Sequence, residues 1–511
     1  MSLRKLTGDG YLRSMLKILN AGQIRSCDAY TIENEPIASI DLMERACRAF
    51  VAWFTTRFDT AHKIGIICGT GNNGGDGLGI ARLLTDRGYS VKVWVVRGDV
   101  KETQDFAKNL ERIAGKIDID EITSVTDGLF YSHHILVDAI FGSGLSRPVE
   151  GIYARTISSI NTTPAIRVSV DIPSGLMADK HSTGFIVSAH HTVSFQLPKL
   201  AFLFPENYKY AGEWHRVDIG LSKKYLHEAQ VSHFYVTLRG IKKKIKTRSK
   251  FDNKGDHGKA LLIAGSYGKM GACILAARAA LRSGLGLLTV HVPRSGYSII
   301  QTAVPEAMAK VDAHENFFTH EDSIENYTAI GIGPGLGQEQ TTADGLINVL
   351  DQCKPMVIDA DALNILSTRK ELYKSIPDGS VLTPHPKEFE RLVGPWSDDF
   401  QRLEKQKQLA AEMNAIIVVK GAHTSIATPE GKVYFNSTGN AAMATGGTGD
   451  VLTGLLTGLL AQGYSSEDSA LIGVYLHGLS GDLWVRERGL NSLIASDLID
   501  QFPQAFRKIA G

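Results

Sequence analysis

An aspartate at the end of a glycine-rich run carries the most chemistry in this sequence. Asn440-Ala441-Ala442-Met443-Ala444-Thr445-Gly446-Gly447-Thr448-Gly449-Asp450 leads directly into an apolar helical stretch. Gly446, Gly447 and Gly449 let main-chain N–H groups turn toward one point. A helix starting near Asp450 adds the positive end of its dipole, so the segment suits a phosphate. Asp450 itself repels phosphate, and its place is on a proton of the group that meets the phosphate. The plain structural alternative is a helix N-cap after a glycine turn. A predicted strand over 415–419 runs into Lys420-Gly421-Ala422-His423-Thr424, which offers a cation, backbone donors and a hydroxyl as a second wall.

The first half holds a second set of residues. A predicted strand over 64–68 ends in Gly69-Thr70-Gly71-Asn72-Asn73-Gly74-Gly75-Asp76-Gly77, read as a nine-residue loop before a helix. That is where doubly wound folds bind nucleotides, although the register is not Gly-x-Gly-x-x-Gly. Predicted strands over 135–140 and 166–170 bring Asp138 and Asp171 to the same sheet edge, with Gly142-Ser143-Gly144-Leu145-Ser146-Arg147-Pro148 and Pro173-Ser174-Gly175 beyond them. Two carboxylates with Asn and Ser oxygens suit a hard cation or acid–base work. No His/Cys cluster with transition-metal spacing stands out in the sequence.

These residues need a scaffold of two or three domains, the expectation for 511 residues. Apolar residues are 43% and charged residues 21%, as in globular proteins, and a net charge of +1 implies no polyelectrolyte partner such as nucleic acid. Five scattered cysteines without Cys-x-x-Cys point to a reducing compartment, here the cytoplasm, and not to a disulfide or zinc scaffold. No apolar run is long enough to span a membrane, and the run over 15–19 is too short for a signal peptide. The first ten or so residues lack periodicity and are expected to be disordered. Further strands are predicted over 91–96, 260–264, 287–292, 329–332, 356–358 and 416–419. Their continuous apolar character means burial on both faces, hence parallel sheets covered by helices. The boundary is expected between 221 and 238, giving domains 1–225 and 226–511. The basic segment 239–259 reads as a solvated connector over 242–246, whereas Lys254-Gly255-Asp256-His257-Gly258 is expected to be functional.

Several motifs resemble a known pair of domains. Leu42-Met43-Glu44-Arg45-Ala46, Gly71-Asn72-Asn73-Gly74-Gly75-Asp76-Gly77, Val137-Asp138-Ala139-Ile140-Phe141-Gly142-Ser143-Gly144 and Val170-Asp171-Ile172-Pro173-Ser174-Gly175 resemble the NAD(P)H-hydrate epimerase domain. Gly333-Pro334-Gly335-Leu336-Gly337, Ile358-Asp359-Ala360-Asp361-Ala362-Leu363-Asn364, Leu382-Thr383-Pro384-His385-Pro386-Lys387-Glu388 and the two stretches at 420–424 and 446–450 resemble the ribokinase-like, ADP-dependent NAD(P)H-hydrate dehydratase domain. Two departures stand out. Cys47 replaces the usual Gly after Leu-Met-Glu-Arg-Ala, which is expected to tighten helix packing, and Asn253 replaces a usual His.

The resemblance implies two three-layer α/β/α domains, Rossmann-like then ribokinase-like, acting on NADH or NADPH hydrated across C5–C6. It implies contacts to the hydrate from Asn72, Asn73, Gly74, Gly75, Asp76, the loop 142–148 and Asp171, and a potassium ion on Asn73, Asp138 and Ser174. Asp171 is the candidate epimerase acid–base group, with Lys199 reaching the same pocket. In the second domain it implies ADP, or ATP, with Mg2+, on Lys420, Gly421, Ala422, His423 and Thr424 and on residues 440–449. Ala272, Gly335, His385 and Asp450 are implied on the hydrate, with Asp450 as base. A homo-oligomer is expected, with no membrane partner. A small-molecule kinase fused to a nucleotide-binding domain is the alternative enzyme. A scaffold protein with degenerate sites is the alternative of another class, weakened by the intact Asp138, Asp171 and Asp450.

Overall fold

The computed structural model describes residues 15–511, so the expectation for the first ten residues lies outside the described chain. Two compact units are present. One is Lys17–Val231 with Asp398–Phe400, and the other is Ser232–Ser397 with Gln401–Gly511 and, of the described residues before Lys17, Met15 and Leu16.

The described chain begins with β1 (Leu16–Lys17) and helices Ala21–Asn34 and Ser39–Phe54. The first unit is then built on β2 (Lys63–Cys68), β3 (Ser90–Val96), β4 (Asp118–Ile122), β5 (Ile135–Ala139), β6 (Ile166–Val170), β7 (His191–Phe195) and β8 (Glu213–Val217). They form one sheet in the order β4-β3-β2-β5-β6-β7-β8, parallel throughout. Ile64, Ile66 and Cys68 face a core made with helices Ser39–Phe54 and Asn72–Thr85, whereas Ile67 faces one made with Tyr153, Ile157 and Ile160. Alternation on strands buried on both faces gives three layers. The strand order reverses between β2 and β5, which opens a crevice at their carboxyl ends.

The expected nine-residue glycine loop is mostly helix. Helix Asn72–Thr85 starts directly after its N-cap Gly71. A Cβ at Gly74 would lie 1.7 Å from the Gly69 carbonyl oxygen, so this glycine exists for a close helix–turn approach. Cys47 Sγ lies 2.6 Å from where a Gly79 Cβ would be, so the cysteine is packed tightly against the helix, as expected.

The second unit contains β9 (His233–Tyr235), β10 (Lys259–Ile263), β11 (Leu287–Val292), β12 (Met308–Val311), β13 (Ala329–Ile332), β14 (Met356–Ile358), β15 (Val381–Leu382), β16 (Ile416–Val419), β17 (Ser425–Ala427) and β18 (Val433–Phe435). The sheet order is β1-β9-β18-β17-β16-β15-β14-β13-β10-β11-β12. Its central run is parallel, but β16, β17 and β18 are antiparallel, which corrects the expectation of a wholly parallel sheet. Ala260 and Leu262 join a core with helices Met270–Arg282 and Thr448–Ala461, while Leu261 and Ile263 are fully buried on the opposite face. The order reverses between β10 and β13. The segment 254–258 sits at the amino end of β10, away from the carboxyl ends where such folds bind ligands, and a Cβ at Gly258 would lie 1.9 Å from Ala461 O. Its glycine serves packing.

Candidate active sites

In the first unit a cavity of about 1000 Å³ lies over the switch point. Asn72, Asn73, Asp76, the loop 142–148, Asp171 and Lys199 all line it. Gly74 and Gly75 do not; both are buried in the first turn of their helix. Asp171 has a left-handed backbone (φ 64°), a conformation Asp tolerates better than most residues. Its Oδ1 accepts from Lys199 Nζ at 2.5 Å and from Phe195 N at 3.0 Å. Lys199 is 2% exposed, and its ammonium also donates to Ser194 Oγ at 2.9 Å. Arg147 reaches the rim, paired with Asp99 at 2.9 Å.

Two cavity residues, Arg25 and Asp28, escaped the sequence reading. Both sit on helix Ala21–Asn34, which precedes every recognised motif. Burial, then the charge of Asp171, pushes the Asp28 carboxyl up to about 7, against the pull of Lys199. Burial, with Asp171, Asp28 and Asp105, also holds Asp76 well above the usual carboxylate range. The cavity thus gathers three carboxyl groups and one ammonium, and two of those carboxyls, Asp28 and Asp76, hold their protons above the usual carboxylate range.

Asp138 is fully buried. Its carboxylate accepts from Ser169 Oγ (2.7 Å), Ser174 N (2.8 Å) and Ser174 Oγ (2.5 Å). Burial raises its pKa even so, and it forms no ion pair among the described residues. Asn73 Nδ2 is buried without a hydrogen-bond partner. Oxygen donors around an unpaired buried carboxylate fit a hard cation, toward which Asn73 would have to offer its amide oxygen and not the unpartnered Nδ2.

In the second unit the loops after β10 and β13 flank the reversal of strand order. A Cβ at Gly335 would lie 3.2 Å from Ala272 Cβ, so these two predicted residues meet across that crevice. Asp361 accepts from Gly337 N at 2.9 Å and from Lys269 at 3.1 Å. Burial would raise its pKa, but these bonds hold it low.

Gly447, left-handed at φ 89°, caps helix Thr448–Ala461 and places Asp450 in its first turn. Burial, then Asp359, pushes the Asp450 carboxyl up to about 6 against the pull of Lys420. Lys420 Nζ lies 3.0 Å from Asp359 Oδ1, and Thr453 Oγ1 donates to Oδ2 at 2.5 Å. A Cβ at Gly449 would be 3.4 Å from that same Nζ, which puts the lysine against the glycine turn. Asp359 and Thr453 were not nominated from sequence, although Asp359 stands inside a recognised motif. The residue after it, Ala360, is left-handed at φ 51°, strain of the kind found at functional sites.

His385 caps helix Pro386–Val393. Its Nδ1 accepts from Lys387 N (3.1 Å) and Glu388 N (3.2 Å), so Nε2 carries the proton of the neutral ring. Burial and Lys420 lower its pKa. Some predicted nucleotide contacts are committed within the fold. Asn440 Nδ2 donates to Asp482 at 2.9 Å, its Oδ1 accepts from Ala442 N at 3.1 Å, and Thr424 Oγ1 donates to Gly421 O at 3.0 Å. Their main-chain carbonyls are taken as well, Asn440 O by Met443 N at 3.1 Å and Thr424 O by Asn436 N at 2.9 Å.

The family described as NAD(P)H-hydrate dehydratase matches residues 260–504, and that described as YjeF-related protein N-terminus matches residues 39–201. The chain is 35% identical over 514 residues to the bifunctional NAD(P)H-hydrate repair enzyme Nnr of Moorella thermoacetica, covering 96% of this chain and 97% of the relative. Against the enzyme of the same description from Escherichia coli K12 it is 33% identical over 466 residues, covering 90% and 88%. Among solved structures, the ADP/ATP-dependent NAD(P)H-hydrate dehydratase of Bacillus subtilis, co-crystallized with ATP/Mg2+, is 35% identical at a TM-score of 0.49, covering 53% of this chain and 97% of that one. With both halves matched in order along one polypeptide, the chain belongs to the family of bifunctional NAD(P)H-hydrate repair enzymes.

Proposed function

We propose that this chain repairs hydrated NADH and NADPH. A domain over 1–225 interconverts the R and S hydrates at C6, and a domain over 226–511 dehydrates the S form with ADP, giving NAD(P)H, AMP and phosphate. The observation that carries the reading is Asp450, with its carboxyl near pKa 6, in the first turn of a glycine-capped helix beside Lys420.

In the epimerase cavity the C6 hydroxyl takes a proton and N1 expels water, leaving an iminium ion that water re-enters from either face. Asp171 is the acid–base group that meets the C6 hydroxyl, and Asp28, poised near pH 7, is the proton store that reloads it. Lys199 holds Asp171 in place. The loop 142–148 and Asn72 take the phosphate and sugar parts. A potassium ion, held by Asn73, Asp138 and Ser174, would supply positive charge that stiffens the loops around Asp138.

In the dehydratase, Asp450 accepts the C6 hydroxyl proton. The oxygen attacks the terminal phosphoryl of ADP, and the bond to the AMP oxygen breaks. Lys420 and the main chain of 446–449 stabilise the charge in transfer. N1 then expels phosphate from C6, and loss of a C5 proton restores the dihydropyridine. ATP can replace ADP, and the nucleotide carries Mg2+. Ala272, Gly335 and His385 hold the hydrate.

The partners are small molecules, in a cytoplasmic homo-oligomer whose size light scattering would measure. All five cysteines are free thiols, which fits a reducing compartment, and no helix among the described residues is long and apolar enough to cross a membrane. The test is purified full chain with the R hydrate of NADH alone. Reduced-nicotinamide absorbance should return with ADP and stay absent without it. Failure to return in the presence of ADP, with the S hydrate also inert, would refute the reading.

A further inference from the structure

On the amino-terminal half of the first sheet, three ligand-type side chains meet away from the epimerase cavity. His191 opens β7 and Glu213 opens β8, and the two residues are directly paired in the parallel register. His215 lies two residues along β8, so it projects from the same face as Glu213. The sequence reading found no such cluster because the residues sit on separate strands.

The distances are those of a ligand set. His191 Nδ1 is 3.4 Å from His215 Nε2 and 3.5 Å from Glu213 Oε2, and His215 Nε2 is 3.8 Å from Glu213 Oε1. Metal–ligand bonds of about 2.0–2.1 Å in a tetrahedron place donors roughly 3.3–3.4 Å apart. The two ring nitrogens already stand at that spacing, and each lies within about half an ångström of it from one of the two Glu213 oxygens, so rotation of the exposed carboxylate would bring a single oxygen toward both. The rings are also held in place. Trp53 packs against both, with centroids 5.7 Å from His191 and 4.9 Å from His215, and Arg57 covers the indole at 4.5 Å.

We infer that His191, Glu213 and His215 form a binding site for a divalent transition-metal ion of the Zn2+ type, with water in the fourth position. Two imidazoles and one carboxylate with an open position are a donor set that such ions accept. Glu213 has 69% of its side chain exposed, which gives the ion an entry path and the fourth ligand a route to solvent. The carboxyl ends of the same strands lead toward Phe195 and Lys199 in the epimerase cavity, so the metal is remote from the chemistry. Its effect is to clip the edge strand β8 to β7.

The experiment uses full-length chain stripped with chelator and then titrated with Co2+ alone, read by the visible d–d bands of the bound ion and by equilibrium dialysis. We expect a saturable site with the strong bands of tetrahedral coordination, displaced by Zn2+. Affinity should fall at least tenfold in Glu213→Gln and in His215→Ala, with folding checked by circular dichroism. Zn2+ should raise the thermal midpoint of the stripped parent and leave that of Glu213→Gln unmoved. Glu213 is exposed, so that variant keeps the test valid if a histidine variant unfolds. Absence of saturable Co2+ binding, or unchanged affinity in a folded Glu213→Gln, would overturn the inference.

Discussion

At the scale of single residues, the same carboxyl chemistry is tuned differently in the two units. Asp450 needs its proton off to act as base, and its carboxyl lies near 6. The dehydration rate should therefore fall as pH drops below about 6, and Asp450→Asn should cost roughly 10² to 10⁴ in rate while epimerisation is unchanged. Stopped assays of each half-reaction check this, and dehydration near the parent rate would remove Asp450 from the proton path. Asp28 works in the opposite sense. It must carry a proton at the start, so epimerisation should decline above about pH 7, and Asp28→Asn should abolish that limb of the pH profile. An unchanged profile would leave Asp28 a bystander. Asp138 and Asp171 separate by potassium. Asp171→Asn keeps a residue type that tolerates the left-handed backbone, so its loss of epimerisation is a loss of chemistry that added potassium cannot restore. Asp138→Ala removes a buried charge, and its defect should be partly rescued by excess potassium. Rescue of Asp171→Asn but not of Asp138→Ala would reverse the two roles. Both variants should leave ADP-dependent turnover of the S hydrate intact.

At the scale of elements, what could be read from sequence follows burial. Central strands β2, β5, β10, β13 and β16 are largely apolar on both faces and stood out as runs, and β6 stood out by the alternation of Ile166, Val168 and Val170 with Arg167 and Ser169. β4, with the sequence Asp-Ile-Asp-Glu-Ile, and β8, with Glu-Trp-His-Arg-Val, are edge strands whose exposed positions hide the signal. β15 is only two residues long. The site residues at strand carboxyl ends were legible because glycine turns and Asp follow apolar runs there. Asp28 was not, because nothing local in helix Ala21–Asn34 announces the cavity it reaches. An ionic cluster near one edge of the second sheet shows another tertiary effect. His291 on β11 contacts Asp312 at 3.2 Å and Glu321 at 2.8 Å, all nearly fully buried, with Lys310 of β12 also paired to Glu321. Burial pulls the His291 pKa down, but these carboxylates outweigh it and raise the value, while Asp312 and Glu321 are lowered. The stabilisation from His291 is complete below its unfolded pKa and is lost as pH rises through the higher folded value. That from the carboxylates is complete above their unfolded pKa and is lost as pH falls through the lower folded values. The cluster is thus strongest between about pH 4.5 and 6.5. His291→Gln should cost about 3 kcal/mol or more near pH 5.5 and less near pH 8.5, read by urea unfolding. An equal cost at both pH values would show that the charge on His291 contributes nothing.

At the scale of the whole molecule, each unit is built on its own sheet, apart from the two-residue β1 that belongs to the second sheet, and each holds its own site, so the two reactions should be separable. The place to cut is set by what positions Asp28. Helix Ala21–Asn34 is held by the segment just before the second unit. Tyr225 packs on Tyr30 at 5.6 Å, Leu226 is fully buried, and Gln23 Nε2 donates to Gln230 O at 2.7 Å. Lys17 Nζ also donates to His227 O at 2.5 Å and to Ala229 O at 2.7 Å. A fragment of residues 1–225 would stop inside helix Lys223–Glu228 and lose most of these contacts, whereas 1–231 keeps them. We expect 1–231 to fold and interconvert the C6 epimers without nucleotide, unaffected by ADP. We expect 1–225 to keep its sheet but to epimerise at least tenfold more slowly, because burying Leu226 is worth about 2 kcal/mol and its loss frees the helix that carries Asp28. Epimer ratios followed by chromatography, beside circular dichroism of each fragment, decide the matter. If folded 1–231 fails to epimerise at any potassium concentration, the first unit does not contain a complete epimerase. If 1–225 matches 1–231, the helix carrying Asp28 needs no support from residues 226–231.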